Sequence, residues 1–225
     1  MNYNLHLDVI WLNWDMLAYG TWLTVHISII SITLGLLVGI VLAGLQTTHR
    51  KLFTVPIAAY IEIIRNTPFL VQLFFIYFGL PGIGLTLTSE QAGMSAMVIN
   101  LGAYATEIVR AGIESIHRQQ IEAGLSLGLS KVQVFRHVIL LPALKKVYPS
   151  LTGQFVLIML GSSIISVISA EELTFQANYL QSRTFRSFEI YLAVTFMYLA
   201  LSYCFRTVFE YIYSQAFNRR SHNSS

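Results

Sequence analysis

Charge is what this sequence has least of. Only 11% of its 225 residues are Asp, Glu, Lys or Arg, against roughly 25% in soluble domains. A chain so poor in charge cannot cover a water-facing surface, and 55% of its residues are hydrophobic with a mean hydropathy of +0.60. Lipid is therefore the expected solvent for much of it. Cysteine is nearly absent too: Cys204 alone excludes a disulfide framework, and its apolar neighbours predict a buried thiol. No Lys or Arg precedes Arg50, and Asp8 and Asp15 stand where a basic leader region would be. A cleavable leader is not expected, and the first hydrophobic segment is expected to stay in the mature protein. The histidines (His6, His26, His49, His117, His137, His222) show no ligand-like spacing. No Ser, His and carboxylate cluster points to an enzyme or a metal site. His26, alone on an apolar stretch, is expected to hydrogen-bond between helices.

What is present is five long apolar segments, near residues 19–45, 53–80, 92–113, 147–170 and 190–213. Each has the roughly 20 residues that a hydrocarbon core of about 30 Å requires. The net charge of +3 and a pI near 9.0 do not indicate nucleic acid, because the basic residues cluster in the loops. Arg50, Lys51, Arg110, Arg118, Lys131, Arg136, Lys145, Lys146, Arg219 and Arg220 fall on one side, and only Arg183 and Arg186 on the other. That bias predicts an external N-terminus and an internal C-terminus. The expected fold is an all-α membrane protein of one domain, residues 1–225. Residues 1–18 form an interfacial segment, 19–213 a core of five transmembrane helices, and 214–225 a polar cytoplasmic tail. Leu7, Trp11 and Trp14 recur at helical spacing in that first segment; a helix lying on the outer leaflet and a frayed terminus with aromatic anchors both fit. Pro81, Gly82 and Gly84 mark a short external turn.

Several polar residues interrupt the spans. Glu62, Arg65, Asn66 and Thr67 precede Pro68 in the second. Arg65 lies roughly 18 Å along a helix counted from Phe53, a depth at which charge needs a partner or a wet cavity. Glu62 and Arg65 share a helix face and can pair, and Pro68 predicts a kink. The group suits either a substrate path or an ion pair that fixes packing. Gly35, Gly39 and Ala43 align on one face of the first span, for packing within the chain or against another subunit. Asn100 interrupts the third span, which ends in Glu107, Arg110, Glu114 and Arg118. This alternating ladder either extends the helix into the cytoplasm as a lever or forms a solvated face. The fourth span carries Gln154, Ser162, Ser163, Ser166 and Ser169, a stripe that can line a path or bond to neighbouring helices.

The insert at residues 122–142, EAGLSLGLSKVQVFRHVILLP, is polar and basic between apolar segments. Residues 119–127 read as a helix, Gly128 as its break, and Ser130 as the N-cap of a second short helix over 131–138. Two such helices make a compact knob, suited to transmitting motion between a soluble partner and the membrane.

The insert resembles the coupling loop of permease subunits of bacterial ABC importers, which reads E-A-A, three residues, Gly, nine residues, I-x-L-P. Glu122, Ala123, Gly128, Leu141 and Pro142 match. Gly124 replaces the second alanine, and the interval from Gly128 to Pro142 is one residue longer. IEIIRNTPFLVQLFFIYFGLP and AYATEIVRAGIESI are similar to segments of the polar amino-acid branch, whose members carry histidine, glutamate, glutamine, arginine or opines. Where many members have K-D-T-S-L, this chain has Leu160, Gly161, Ser162, Ser163 and Ile164, so the resemblance implies that a cationic substrate would lack that carboxylate. Glu172 and Leu173 match a later Glu-Leu.

The resemblance implies the transmembrane subunit of an ATP-driven amino-acid importer in a bacterial cytoplasmic (inner) membrane. It implies a second permease subunit, identical or paralogous, an ATPase dimer that receives residues 119–142, and an extracytoplasmic amino-acid-binding protein. The chain has no G-x-x-x-x-G-K-[ST] loop, so ATP and Mg²⁺ are expected in the ATPase and no cofactor in this chain. Coupling would fall to Glu122, Ala123, Gly124, Gly128, Leu141 and Pro142. The substrate path would fall to Glu62, Arg65, Asn66, Thr67, Asn100, Ser162 and Ser163. The competing class is a stand-alone secondary transporter or channel for small polar solutes.

Overall fold

The computed structural model describes residues 6–48 and 50–218, and their regular structure is helical throughout. The remaining positions, including His49 and residues 219–225 of the tail expected at 214–225, lie outside the described residues, while residues 214–218 of that tail continue the last helix as a π turn. A short helix α1 (Asp8–Leu12) leads into α2 (Trp14–Gln46). The second span is a pair, α3 (Lys51–Arg65) and α4 (Phe69–Ile83). Helix α5 is Ser89–Glu114 and α6 is Arg118–Ser126. Helix α7 runs through Lys131–Ile168, followed by α8 (Leu173–Thr184) and α9 (Ser187–Tyr213). Four described helices are long and apolar enough to cross a membrane, and the α3–α4 pair makes a fifth span if counted as one.

The core is built on α5, which packs along α2, α3 and α7. Apolar burial gives little net drive to helix association in lipid, so close backbone approach matters more. The small-residue face of α2 serves this packing within the chain. A Cβ at Gly39 would stand 2.5 Å from Ala105 Cβ, and one at Gly35 would stand 2.9 Å from Leu101. Ala43 is fully buried beside them, as are Met97, Leu101 and Ala105 of α5. Where Tyr60 of α3 crosses Gly102, its hydroxyl donates to the Ile99 carbonyl at 2.6 Å.

Three expectations change. The kink at Pro68 is a complete break: α3 and α4 meet at 110°. Cys204 is exposed, because α9 is an outer helix whose apolar run faces away from the core. His26 is likewise on an outward face, stacked on Trp22 of its own helix with ring centroids 6.1 Å apart, and makes no interhelical hydrogen bond among the described residues.

At the end of α7 opposite α6, a buried carboxylate ties three helices together. Glu172 is fully buried and caps α8 by accepting from Phe175 N at 2.9 Å. It also accepts from the Tyr198 hydroxyl of α9 at 2.6 Å and from Thr24 Oγ1 of α2 at 3.4 Å. Residues flanking α8, Ser169 and Phe185, both have positive φ, which turns the chain sharply on either side of it.

Candidate functional site

The break in the second span is where polar groups converge. The end of α3 is exposed, and beyond Glu62 O, which still accepts from Asn66 N at 3.1 Å, its carbonyls run out of helical donors. Side chains supply three contacts. Asn66 Nδ2 donates to Glu62 O at 2.9 Å, Thr67 Oγ1 to Ile63 O at 2.7 Å, and Gln72 Nε2 to Ile64 O at 2.7 Å. Asn66 and Thr67 thus spend hydrogen bonds on the helix end. Gln72, which the sequence reading did not single out, is held in turn by Asn100 of α5, whose Nδ2 donates to Gln72 Oε1 at 3.0 Å.

Three cavities border the break, and one of them, about 750 Å³ and apolar, is lined by Ile63, Ile64, Thr67, Gln72 and Phe75 among others. A charged one of about 590 Å³ is lined by Glu62, Arg65, Asn66, Glu107, Arg110 and Glu114, with Gln46 and Tyr104 among the rest. Arg65 does not pair with Glu62. Its Nη1 lies 3.0 Å from Glu107 Oε2 of α5, and its guanidinium sits 5.4 Å from the centre of the Tyr104 ring. Glu107 also holds Arg110 at 3.1 Å, and Arg110 reaches Glu114 at 2.7 Å. The third cavity, about 420 Å³, has no charged side chain among its described lining residues. Thr67, Asn100, Tyr104 and Gln154 supply its polar groups, with Met97 and Ile158 among the apolar ones. Tyr104 borders both this uncharged cavity and the charged one. Asn100 lies close to the middle of α5, so the uncharged cavity is at mid-helix depth.

The predicted path residues therefore divide into three groups. Glu62, Arg65 and Asn66 meet in the charged cavity, and Thr67 and Asn100 in the uncharged one. Ser162 and Ser163 line neither. Their hydroxyls return to Met159 O and Leu160 O, both at 2.7 Å, in the tight 3-10 turn that ends α7. Short side chains in such a turn bond backward to their own backbone.

The insert takes a more continuous form than expected. Helix α6 carries an Arg118–Glu122 pair at 3.2 Å between two exposed side chains. It ends in a Schellman motif: Gly128 at φ +82°, with Leu129 N donating to Gly124 O and Gly128 N to Leu125 O. Ser130 and Gln133 form a reciprocal capping box that starts α7. There is no separate second helix, since α7 continues unbroken into the membrane segment. Pro142 offers no N–H to the Val138 carbonyl, and the turn Val134–Leu140 before it widens to π geometry. Nor is the charge ladder one lever. Helix α5 stops at Glu114, so Arg118 opens α6 and pairs with Glu122 rather than Glu114.

Gly124 is buried against α7. An alanine methyl there would stand 3.3 Å from Val138 Cγ2 and 3.4 Å from Val134 Cγ2. Two β-branched neighbours thus fill the room that a second alanine would take. Ala123, Gly124 and Pro142 line a shallow cavity of about 390 Å³, while Leu141 is half-buried beside it. Leu127 and Val132, both strongly exposed, stand at the tip of the turn between α6 and α7. Among the described residues no group of three His, Cys, Asp or Glu could hold a metal ion.

Comparison with known proteins supplies the context. The family model described as binding-protein-dependent transport system inner membrane component matches residues 13–216. The chain is 38% identical over 198 residues to a glutamine transport system permease protein of Escherichia coli strain K12, covering 87% of this chain and 90% of that one. It is 35% identical over 198 residues to a probable glutamine ABC transporter permease protein of Bacillus subtilis strain 168, covering 88% and 92%. The solved structure of an amino acid ABC transporter with histidines matches with a TM-score of 0.84 at 33% identity, covering 95% of this chain and 100% of the other. An inward-facing structure of a methionine ABC transporter shares the fold, with a TM-score of 0.75 at 20% identity.

Proposed function

The chain belongs to the family of binding-protein-dependent transport system inner membrane components, and from that premise we propose that it is the membrane-spanning subunit of an ATP-driven amino-acid importer. The observation that carries this reading is the identity of a third or more along nearly the whole of two glutamine permeases. The membrane is the bacterial cytoplasmic (inner) membrane, with the N-terminus outside and the C-terminus and α6 inside. A second permease subunit completes the path, and an extracytoplasmic binding protein delivers the substrate.

Nucleotide chemistry belongs to a cytoplasmic ATPase dimer, and ATP–Mg is bound there. The turn shaped by Gly128, with Glu122, Ala123, Gly124, Leu141 and Pro142 around it, is the docking element for that ATPase. Motion passes from α6 across the turn at Gly128 into α7, which starts at the Ser130 capping box and runs unbroken through the π turn into the membrane segment. The substrate path runs past the break in the second span. Thr67 and Asn100 face its uncharged part, and Glu62, Arg65 and Asn66 its charged part.

Reconstitution tests the reading. The chain, purified with its ATPase and second permease subunit, is expected to take up an amino acid only with ATP and loaded binding protein. Uptake by the isolated chain under an ion gradient without ATP would replace this reading with a stand-alone secondary transporter.

A further inference from the structure

In an unbroken helix the Ile64 carbonyl would accept from the amide of residue 68, and Pro68 has none. Gln72 Nε2 stands in for it at 2.7 Å, and also faces Thr67 O at 3.0 Å and Thr67 Oγ1 at 2.9 Å. Thr67 Oγ1 spends its own hydrogen on Ile63 O, so it can only accept from Gln72. Three acceptors around one nitrogen fix the Gln72 amide, because the flipped amide would set oxygen against oxygen at every contact. Gln72 Oε1 therefore faces Asn100 and needs a donor. Asn100 can supply one only through Nδ2, which lies 3.0 Å away. The missing proton of Pro68 thus determines which end of Asn100 is left over.

That end is the oxygen. Asn100 is nine-tenths buried and lines the uncharged cavity, and its Oδ1 makes no hydrogen bond among the described residues. That oxygen is not sealed off but keeps access to the cavity, where a donor that enters can reach it. We propose that Asn100 is a specificity-determining contact of the translocation path, its Oδ1 accepting a hydrogen bond from an N–H group of the transported amino acid. The assignment rests on the proposed function and deepens it. The cavity is of a size for one amino acid, about 420 Å³. Gln154, on the facing helix α7, adds a second uncharged carboxamide. Both the α-ammonium and a side-chain carboxamide of a substrate carry the required N–H.

The test uses the complete importer in proteoliposomes, reading amino acid delivered per ATP hydrolysed. In Asn100→Leu the complex is expected to assemble and hydrolyse ATP, while delivery per ATP falls by at least about tenfold, the equivalent of one lost buried hydrogen bond. Asn100→Gln, which keeps both an amide donor and an acceptor, is expected to deliver several-fold more per ATP than Asn100→Leu. Full delivery by Asn100→Leu, or equal delivery by the two variants, overturns the assignment. Should Asn100→Leu not assemble, Asn100→Ser decides, because the short side chain withdraws the carboxamide oxygen from the cavity without adding bulk. Low delivery by an assembled Ser complex supports the contact, and full delivery overturns it.

Two substrates delivered by the same binding protein, one with a side-chain carboxamide and one without, separate the sources of the N–H. A loss confined to the first supports contact with the carboxamide, and an equal loss supports contact with the ammonium. If the unaltered complex takes up no amino acid, the functional reading falls and this assignment with it. Uptake by the unaltered complex with undiminished Asn100→Leu overturns the assignment alone.

Discussion

The guanidinium of Arg65 is joined to Glu107 at 3.0 Å, linking the last turn of α3 to α5 beside the break in the second span. Both side chains are partly exposed, 41% and 30%. A pair of this kind contributes about 1 kcal/mol or less to stability. Arg65→Ala is therefore expected to leave the complex assembled, as judged by size-exclusion chromatography with its ATPase, while abolishing uptake in proteoliposomes. Glu107 keeps Arg110 in that variant, so no buried charge is stranded. Loss of assembly would make Arg65 a packing residue instead.

The turn after α6 gives a second prediction. Gly128 holds φ +82°, a conformation that costs other residues roughly 1–2 kcal/mol. Nothing lies within 4 Å of a Cβ placed there, so the strain is in the backbone alone. Gly128→Asp distorts the docking turn and adds charge to it, and Glu122→Lys reverses the charge beside Arg118. Both variants are expected to lose co-purification of the ATPase while the chain still inserts in the membrane. Normal ATPase association in both would count against coupling through this loop.

The helical spans were legible because lipid imposes a simple rule: a run of about 20 apolar residues must become a helix. The tertiary pairings were less so. Local spacing favours Glu62 as the partner of Arg65, yet α5 supplies Glu107, which is 42 positions away in sequence. The ladder from Glu107 to Arg118 has helical spacing throughout, but Ser115 caps α5 and the backbone turns before Arg118. Gln72 was legible in principle. Pro68 announces an orphaned carbonyl, and a polar side chain one turn later is the natural place to look for its donor. Glu172 follows the helix that ends at Ile168. Its burial depends on α2 and α9 closing over it, which no local pattern records.

Helix packing gives a third prediction. A Cβ at Gly39 would stand 2.5 Å from Ala105 Cβ and 3.0 Å from the Ala105 backbone, neither of which can yield without moving α5. Gly39→Val is expected to destabilise the chain by about 1–3 kcal/mol, read as a lower melting temperature in detergent. Gly82→Ala is the control. Nothing lies within 4 Å of its Cβ, and no change in melting temperature is expected. Equal behaviour of the two variants would show that the α2–α5 contact is looser than its geometry.

The Glu172 carboxylate gives the last, and it carries a sign. Glu172→Ala strands the Phe175 amide and leaves the Tyr198 hydroxyl only Thr174 Oγ1, 2.8 Å away, and is expected to cost about 2 kcal/mol. Glu172→Gln keeps acceptor capacity and is expected to cost less. Burial pushes the Glu172 carboxyl above its usual value of 4.5, and the hydrogen bonds from Tyr198, Thr24 and the α8 backbone offset this only in part. The folded chain thus holds the proton at a pH where the unfolded chain has released it. The stability so linked is complete below the usual value and is lost as pH rises through the raised one. The melting temperature of the unaltered chain in detergent is therefore expected to rise as pH falls from neutral toward 4.5. In Glu172→Gln, which cannot titrate there, that slope is expected to flatten. An unchanged slope would assign the pH dependence to other carboxyls and leave Glu172 as a cap alone.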